Sequence, residues 1–118
     1  VEPTVLTDVH PDATVAQEEI FGPVLAVIAH DGDDDAVAIA NNSRYGLSGA
    51  VVSTSHDRAR AVANRMRTGT VNVNGGVFYG ADVPFGGYRQ SGIGREMGVA
   101  GFEEYLEIKV IAEGARNG

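Results

Sequence analysis

SGAVVSTSHDRARAVANRMRTGTVNVN, running from Ser48 to Asn74, decides the fold. Ser48–Ser53 reads as a strand, and Thr70–Asn74 as another, with Val71 and Val73 set between polar partners. Between them Asp57 precedes a segment in which Ala59, Val62, Ala63 and Met66 recur at i, i+3, i+4 and i+7. That is the pattern of a helix packed along one face. Arg58, Arg60 and Arg65 fall on its other faces and read as a solvated surface, Arg67 suits its C-terminal end, and Gly69 is the expected stop. Strand, helix, strand in this order predicts parallel pairing through a right-handed crossover.

Upstream the same grammar repeats. Residues 4–9 read as a short strand, followed by a turn at Pro11-Asp12. Val24–Ile28 is a continuous apolar run, as expected of a strand covered on both faces. Asp31-Gly32 signals a turn, and Asp33, Asp34 and Asp35 lead into a helix carrying Ala36, Val37, Ile39 and Ala40, closed by Asn41-Asn42-Ser43. Carboxylates at a helix start satisfy free N–H groups and the helix dipole. A calcium loop counted from Asp31 would put Asn42 where its bidentate acid belongs, so capping is the better reading.

Downstream, Asn74–Gly94 is rich in glycine, which permits tight turns and close backbone approach. It follows a strand of a parallel sheet, the end where such sheets hold ligands, and is the expected functional surface. Leu106–Ile111 alternates and reads as a last strand, and Ala112–Gly118 as a loose tail. The fold class is therefore α/β: a mostly parallel β-α-β-α-β sheet with a Gly-rich loop and a C-terminal strand, residues 1–118 forming a single segment.

Composition bounds the function. With 118 residues and 43% apolar content, one compact domain with a sizeable core is expected. A net charge of −7 argues against nucleic acid and anionic membranes as partners. The absence of cysteine removes disulfides, thiolate metal sites and thiol nucleophiles from what these residues do alone. His10, His30 and His56 show no metal-ligand spacing. With no apolar run of membrane-span length and no signal-peptide pattern, a cytoplasmic home is the default expectation. The chain opens at Val1 without an initiator methionine and reads as a piece of a longer product.

Common motifs fail individually. Gly92-Ile93-Gly94-Arg95-Glu96-Met97-Gly98 places its third glycine one residue late for a dinucleotide fingerprint. Lys109, the only lysine, sits in no P-loop, and no serine has a nucleophile-elbow context. The pairs Glu18-Glu19 and Glu103-Glu104 read, alone, as exposed or capping acids.

Four stretches taken together say more. Glu18-Glu19-Ile20-Phe21-Gly22-Pro23-Val24 resembles the E-E-x-F-G-P-V segment of the aldehyde dehydrogenase superfamily. Ala40–Leu47 resembles its A-N-x-x-x-Y-G-L turn, and Gly69–Asn74 its G-x-V-x-V-N strand. Pro84–Glu96 resembles its P-F-G-G-x-K-x-S-G-x-G-R-E segment, with Arg89 where lysine is commoner. The likeness runs in order from about Pro3 to Val110.

The resemblance implies the C-terminal part of an NAD(P)-dependent aldehyde dehydrogenase catalytic domain. Glu19 would hold the nicotinamide-ribose hydroxyls, a task suited to a carboxylate that accepts two O–H donors. Phe21 would pack near the nicotinamide, with core packing as the competing role, and Val77, Tyr79 and Phe85 would line the tunnel for an aldehyde. Arg95 and Glu96 would be structural, pairing within or between subunits, and Leu106–Ile111 would assemble a homo-oligomer. In the whole enzyme a cysteine thiolate attacks the aldehyde, the thiohemiacetal yields hydride to NAD or NADP, and a base-activated water releases the carboxylic acid. The family's nucleophile and base lie upstream of this region, so the chain needs the rest of its dehydrogenase and is expected to be inactive alone, with weak or no cofactor binding. The alternative is a non-catalytic binding or assembly module of the same fold.

Overall fold

The structure is a computed structural model that describes residues 1–77 and 79–115. Strand β1 (Thr4–Leu6) runs parallel to β2 (Val24–Ala26), with Thr4 opposite Val24 and Leu6 opposite Ala26. Between them the chain turns at Pro11-Asp12, where the Ala13 amide donates to the His10 carbonyl at 3.0 Å, and makes a single helical turn, α1 (Thr14–Gln17). Helix α2 (Gly32–Asn41) leads to β3 (Ser48–Val51), and α3 (His56–Ala63) is the crossover to β4 (Thr70–Val73). β3 and β4 are parallel, Ser48 opposite Thr70 and Val51 opposite Val73. A 3-10 turn (Arg89–Ser91) and α4 (Gly98–Glu103) follow.

The α/β class and the parallel β3-α3-β4 unit match the reading of Ser48–Asn74. The continuous sheet does not: β2 pairs with β1, leaving two separate two-stranded sheets. Chain order sets the direction of strands but not their adjacency, and one edge of β2 is already taken. Leu106–Ile111, expected as a last strand, lies in no strand within the described chain. Its alternation permits a ladder, but a ladder needs a neighbour, and Ile108 and Val110 are 94% and 87% exposed instead. The end of the predicted tail, 116–118, lies outside the described residues.

The expected compact core is also absent. Among the described residues the buried apolar side chains are Val37 and Ala59. The radius of gyration is 20.0 Å, against about 13–14 Å for a compact domain of this length. Sheets this small have no second layer to close against, so Leu25 and Val52 stay exposed.

What packing exists is centred on α3. Ser55 caps it, its Oγ accepting the Arg58 amide at 3.3 Å, a contact worth about 1 kcal/mol. Asp57 thus sits inside the first turn, two places after the cap rather than before the helix. Ala59 is fully buried in the face toward the strands. The helix ends at Ala63 rather than at Gly69, because Arg65 and Met66 bond back three residues to Val62 and Ala63 and tighten the turn. Met66 still reaches the sheet: its Cε fills the space beside Gly49 where a Cβ would lie 2.5 Å away. Arg58 of α3 and Arg65 of the turn after it are ion-paired, not merely solvated. Arg58 binds Asp33 at 2.6 Å and Arg65 binds Asp34 at 2.8 Å, while Asp35 accepts the Asp31 amide at 2.8 Å.

Candidate functional site

The segment Asn41–Gly46, at the end of α2, is where three distant stretches meet. From the N-terminal side, Gln17 Nε2 donates to the Asn42 carbonyl at 2.8 Å and to the Pro11 carbonyl at 2.7 Å, and Arg44 pairs with Glu18 at 2.8 Å. From the turn after α3, Asn41 accepts the Arg67 amide and donates to the Arg65 carbonyl, at 2.8 and 2.9 Å. From the Gly-rich loop, the amides of Tyr88 and Gln90 donate to the carbonyls of Gly46 and Arg44, and Ser91 Oγ accepts the Gly46 amide at 2.9 Å. The Arg89 guanidinium adds bonds to the carbonyls of Asn41 and Ser43, holding Arg89 in a left-handed conformation at φ 55°.

Two glycines make this meeting possible. A Cβ on Gly46 would lie 2.5 Å from the Arg67 carbonyl oxygen, and one on Gly69 would lie 1.6 Å from that of Gly86. No other residue fits there. Gly69, expected to stop a helix, instead lets the start of β4 touch the Gly-rich loop backbone to backbone.

Glu19 and Phe21 sit beside this junction. Glu18 and Glu19 both line an open cleft of about 560 Å³, together with Ser43, Tyr45, Leu47 and Ser91. Glu18 is committed to Arg44, whereas Glu19 is exposed and bonds to no side chain among the described residues. Glu19 also borders a shallower depression with Phe21 and Gly22. Phe21 is 92% exposed, which removes core packing as its role within this chain, and its φ is 54°. A bulky residue in the left-handed region is uncommon and costs about 1–3 kcal/mol unless its surroundings hold it there. Gly22-Pro23 follows at once, and Val24 then enters β2. The ring is presented, not packed.

The residues expected on the substrate side are only partly gathered. Tyr79 and Phe85 meet edge to face, with ring centroids 6.0 Å apart and planes at 76°. Val77 is 80% exposed and shares no such contact. Phe85 lines a second cavity, of about 380 Å³, and pairs through its backbone with Glu96 at 2.7 Å. Leu47 and Ser91 line both this cavity and the Glu19 cleft, so they form a shared wall. Arg95 forms no ion pair among the described residues. It donates to the carbonyls of Gly87 and Gly94 and lies 5.4 Å from the Tyr88 ring centre, fixing the loop from within.

Electrostatic perturbation lies elsewhere. The Arg58 hydrogen bond holds the Asp33 carboxyl below its ordinary value of 3.8 and raises the guanidinium in turn. Neither residue lines the Glu19 cleft. The contribution of Gln17, Arg44 and Ser91 to the junction leaves no mark in local spacing, since each acts on a partner 25 or more residues away.

Against this geometry stands the likeness to known proteins. The model of the aldehyde dehydrogenase family matches residues 1–111. This chain belongs to the aldehyde dehydrogenase family. It is 51% identical to a 3-succinoylsemialdehyde-pyridine dehydrogenase of a Pseudomonas species over 93% of its own length, and 50% identical to the geranial dehydrogenase of Castellaniella defragrans over 94%. It spans 23% of each of those curated relatives. The structure superposes on the NAD+ complex of betaine aldehyde dehydrogenase from Staphylococcus aureus with a TM-score of 0.84 at 48% identity, covering 90% of this chain and 21% of that one. Aldehyde dehydrogenase C of Pseudomonas syringae, solved as a Cys-to-Ala mutant with NAD+ and octanal, matches with a TM-score of 0.82 at 52% identity, covering 89% and 21%. The aldehyde dehydrogenase fold thus accommodates this chain as roughly a fifth of its length.

Proposed function

We propose that this chain is the C-terminal part of an NAD(P)-dependent aldehyde dehydrogenase, which oxidises an aldehyde to a carboxylic acid through a cysteine thiohemiacetal, and that it supplies half of the nicotinamide and aldehyde site. The observation that carries the reading is the division of labour in the acidic pair: Glu18 is neutralised by Arg44 while Glu19 is left free on a cleft beside a presented Phe21 ring.

These residues fit a nicotinamide nucleotide. A free carboxylate suits two vicinal ribose hydroxyls, and an exposed aromatic face suits the nicotinamide ring. A bound nicotinamide would supply the hydride acceptor for the substrate carbon. The contribution of Glu19 and Phe21 is positioning, and neither is a nucleophile. NAD+ in the Staphylococcus aureus relative supports the cofactor class. The tunnel reading assigns Val77, Tyr79 and Phe85 to the aldehyde. Octanal in the Pseudomonas syringae relative supports an apolar tunnel of this kind.

The chain has no cysteine, so it depends on the remaining dehydrogenase chain for its nucleophile and is inactive alone. The bare alternation of Leu106–Ile111 supports its use as an assembly strand in a homo-oligomer. No described helix is long and apolar enough to cross a membrane.

In the full-length enzyme, Glu19→Gln should weaken NAD+ or NADP+ binding and slow turnover by about tenfold or more, the cost of losing charge-assisted hydrogen bonds. Steady-state and single-turnover kinetics matching the parent would remove the assignment. The isolated chain should produce no aldehyde-dependent NADH.

A further inference from the structure

We propose that Arg44 is a positioning residue for the cofactor carboxylate, sorting two adjacent glutamates into one that is anchored and one that is free. The inference rests on the assignment of Glu19 to the nicotinamide ribose and adds a residue to it.

Glu18 caps the end of α1 with extended backbone, φ −101° and ψ 145°, and Glu18 and Glu19 line the same cleft. Which of the two meets the cleft with a free carboxylate then depends on what holds the other. Arg44 takes Glu18 at 2.8 Å. This is a tie across 26 residues of sequence, and its far end is rigid: the Arg44 carbonyl accepts the Gln90 amide at 3.0 Å, and neighbouring Gly46 is bonded on both sides. Gln17 adds a second tie to the same segment through the Asn42 carbonyl. The end of α1 is therefore clamped by a hydrogen bond and an ion pair at consecutive residues, immediately before Glu19.

The pair acts in two ways. It fixes the backbone that presents Glu19, and it occupies the guanidinium that contacts the acidic pair. An uncommitted Arg44 could instead satisfy Glu19 and compete with ribose hydroxyls for its oxygens. Both partners are about half exposed, so solvent and salt moderate the effect.

The test uses the full-length enzyme carrying these residues, with NAD+ as the probe and its dissociation constant read by fluorescence quenching beside KM and kcat. Glu18→Gln and Arg44→Ala should each weaken NAD+ about two- to fivefold, raising KM for NAD+ more than they lower kcat. The double variant should be no worse than either single one, and the charge-reversed E18R/R44E pair should recover binding to within about twofold. Glu18→Gln keeps shape and volume, so the cycle still reads if Arg44→Ala does not fold. Multiplying losses in the double variant, or parental binding in Glu18→Gln, would overturn the proposal. Glu19→Gln distinguishes the two levels. If it weakens NAD+ while Glu18→Gln and Arg44→Ala do not, Arg44 fails and the ribose assignment stands. If Glu19→Gln itself binds NAD+ like the parent, the ribose assignment fails and the role of Arg44 falls with it.

Discussion

Strand β4 and the stretch Leu106–Ile111 are written in the same code and end in opposite conditions. In β4, Val71 and Val73 alternate with Thr70 and Asn72, and all four are half-buried and paired with β3. In the second stretch, Leu106, Ile108 and Val110 alternate with Glu107 and Lys109, yet none is in a strand and Ile108 is 94% exposed. β4 has a parallel neighbour 22 positions back in register and a helix laid across both strands. Among the described residues the later stretch has neither. Alternation is thus a permission, and a partner within reach turns it into a strand.

The comparison breaks most violently at Gly69. Any Cβ there would stand 1.6 Å from the Gly86 carbonyl oxygen, a backbone atom that cannot step aside without moving the whole loop. Gly69→Val should cost more than about 3 kcal/mol, measured by denaturant unfolding of the full-length protein. Gly69→Val with parental stability would mean that β4 and the Gly-rich loop do not touch. Ala59→Leu comes next. Ala59 has no exposed surface on the α3 face toward β3 and β4, so overpacking there should cost about 1–3 kcal/mol by the same measurement.

A third variant sharpens the other arm. Ile108→Thr in the isolated chain should change stability by less than about 0.5 kcal/mol, since Ile108 is 94% exposed. Hydrogen exchange would show the contrast directly. The amides of Thr70 and Asn74, bonded to the carbonyls of Leu47 and Val51, should be protected, and those of 107–111 should exchange freely. Protection of 107–111 in the monomer would erase the distinction.

The same contrast explains what was legible in the sequence. α2, α3 and their flanking strands were readable because their signals are local: period, caps and turn residues within a few positions. Glu19 and Phe21 could be picked out because a family motif names their positions, and the structure leaves both exposed at the Glu19 cleft and its rim. The tie between Arg44 and Glu18, and the contact of Gly69 with Gly86, were not readable, since each joins residues with no common period. The break between β2 and β3 escaped for a related reason. Sequence order predicts which way a strand runs, while its neighbour depends on which edge is already taken, here by β1.

The smallest expected effect belongs to the pair that joins the N-terminal ends of α2 and α3. The Arg58 hydrogen bond lowers the Asp33 carboxyl below 3.8, its ordinary value. A depressed carboxylate stabilises the fold above its unfolded value, and that contribution fades as pH falls below about 3.8 and the folded-state carboxyl takes up its proton. An NMR titration should therefore place the Asp33 midpoint below 3.8, and Asp33→Asn should flatten this part of the acid unfolding curve. The gain is slight because both side chains meet solvent, and molar salt should shrink it further. A midpoint at or above the ordinary value would show that the bidentate contact does not persist in solution. α3 would then rest on the strands through Ala59 and its apolar neighbours, with the Arg65–Asp34 pair as the remaining charged tie to α2.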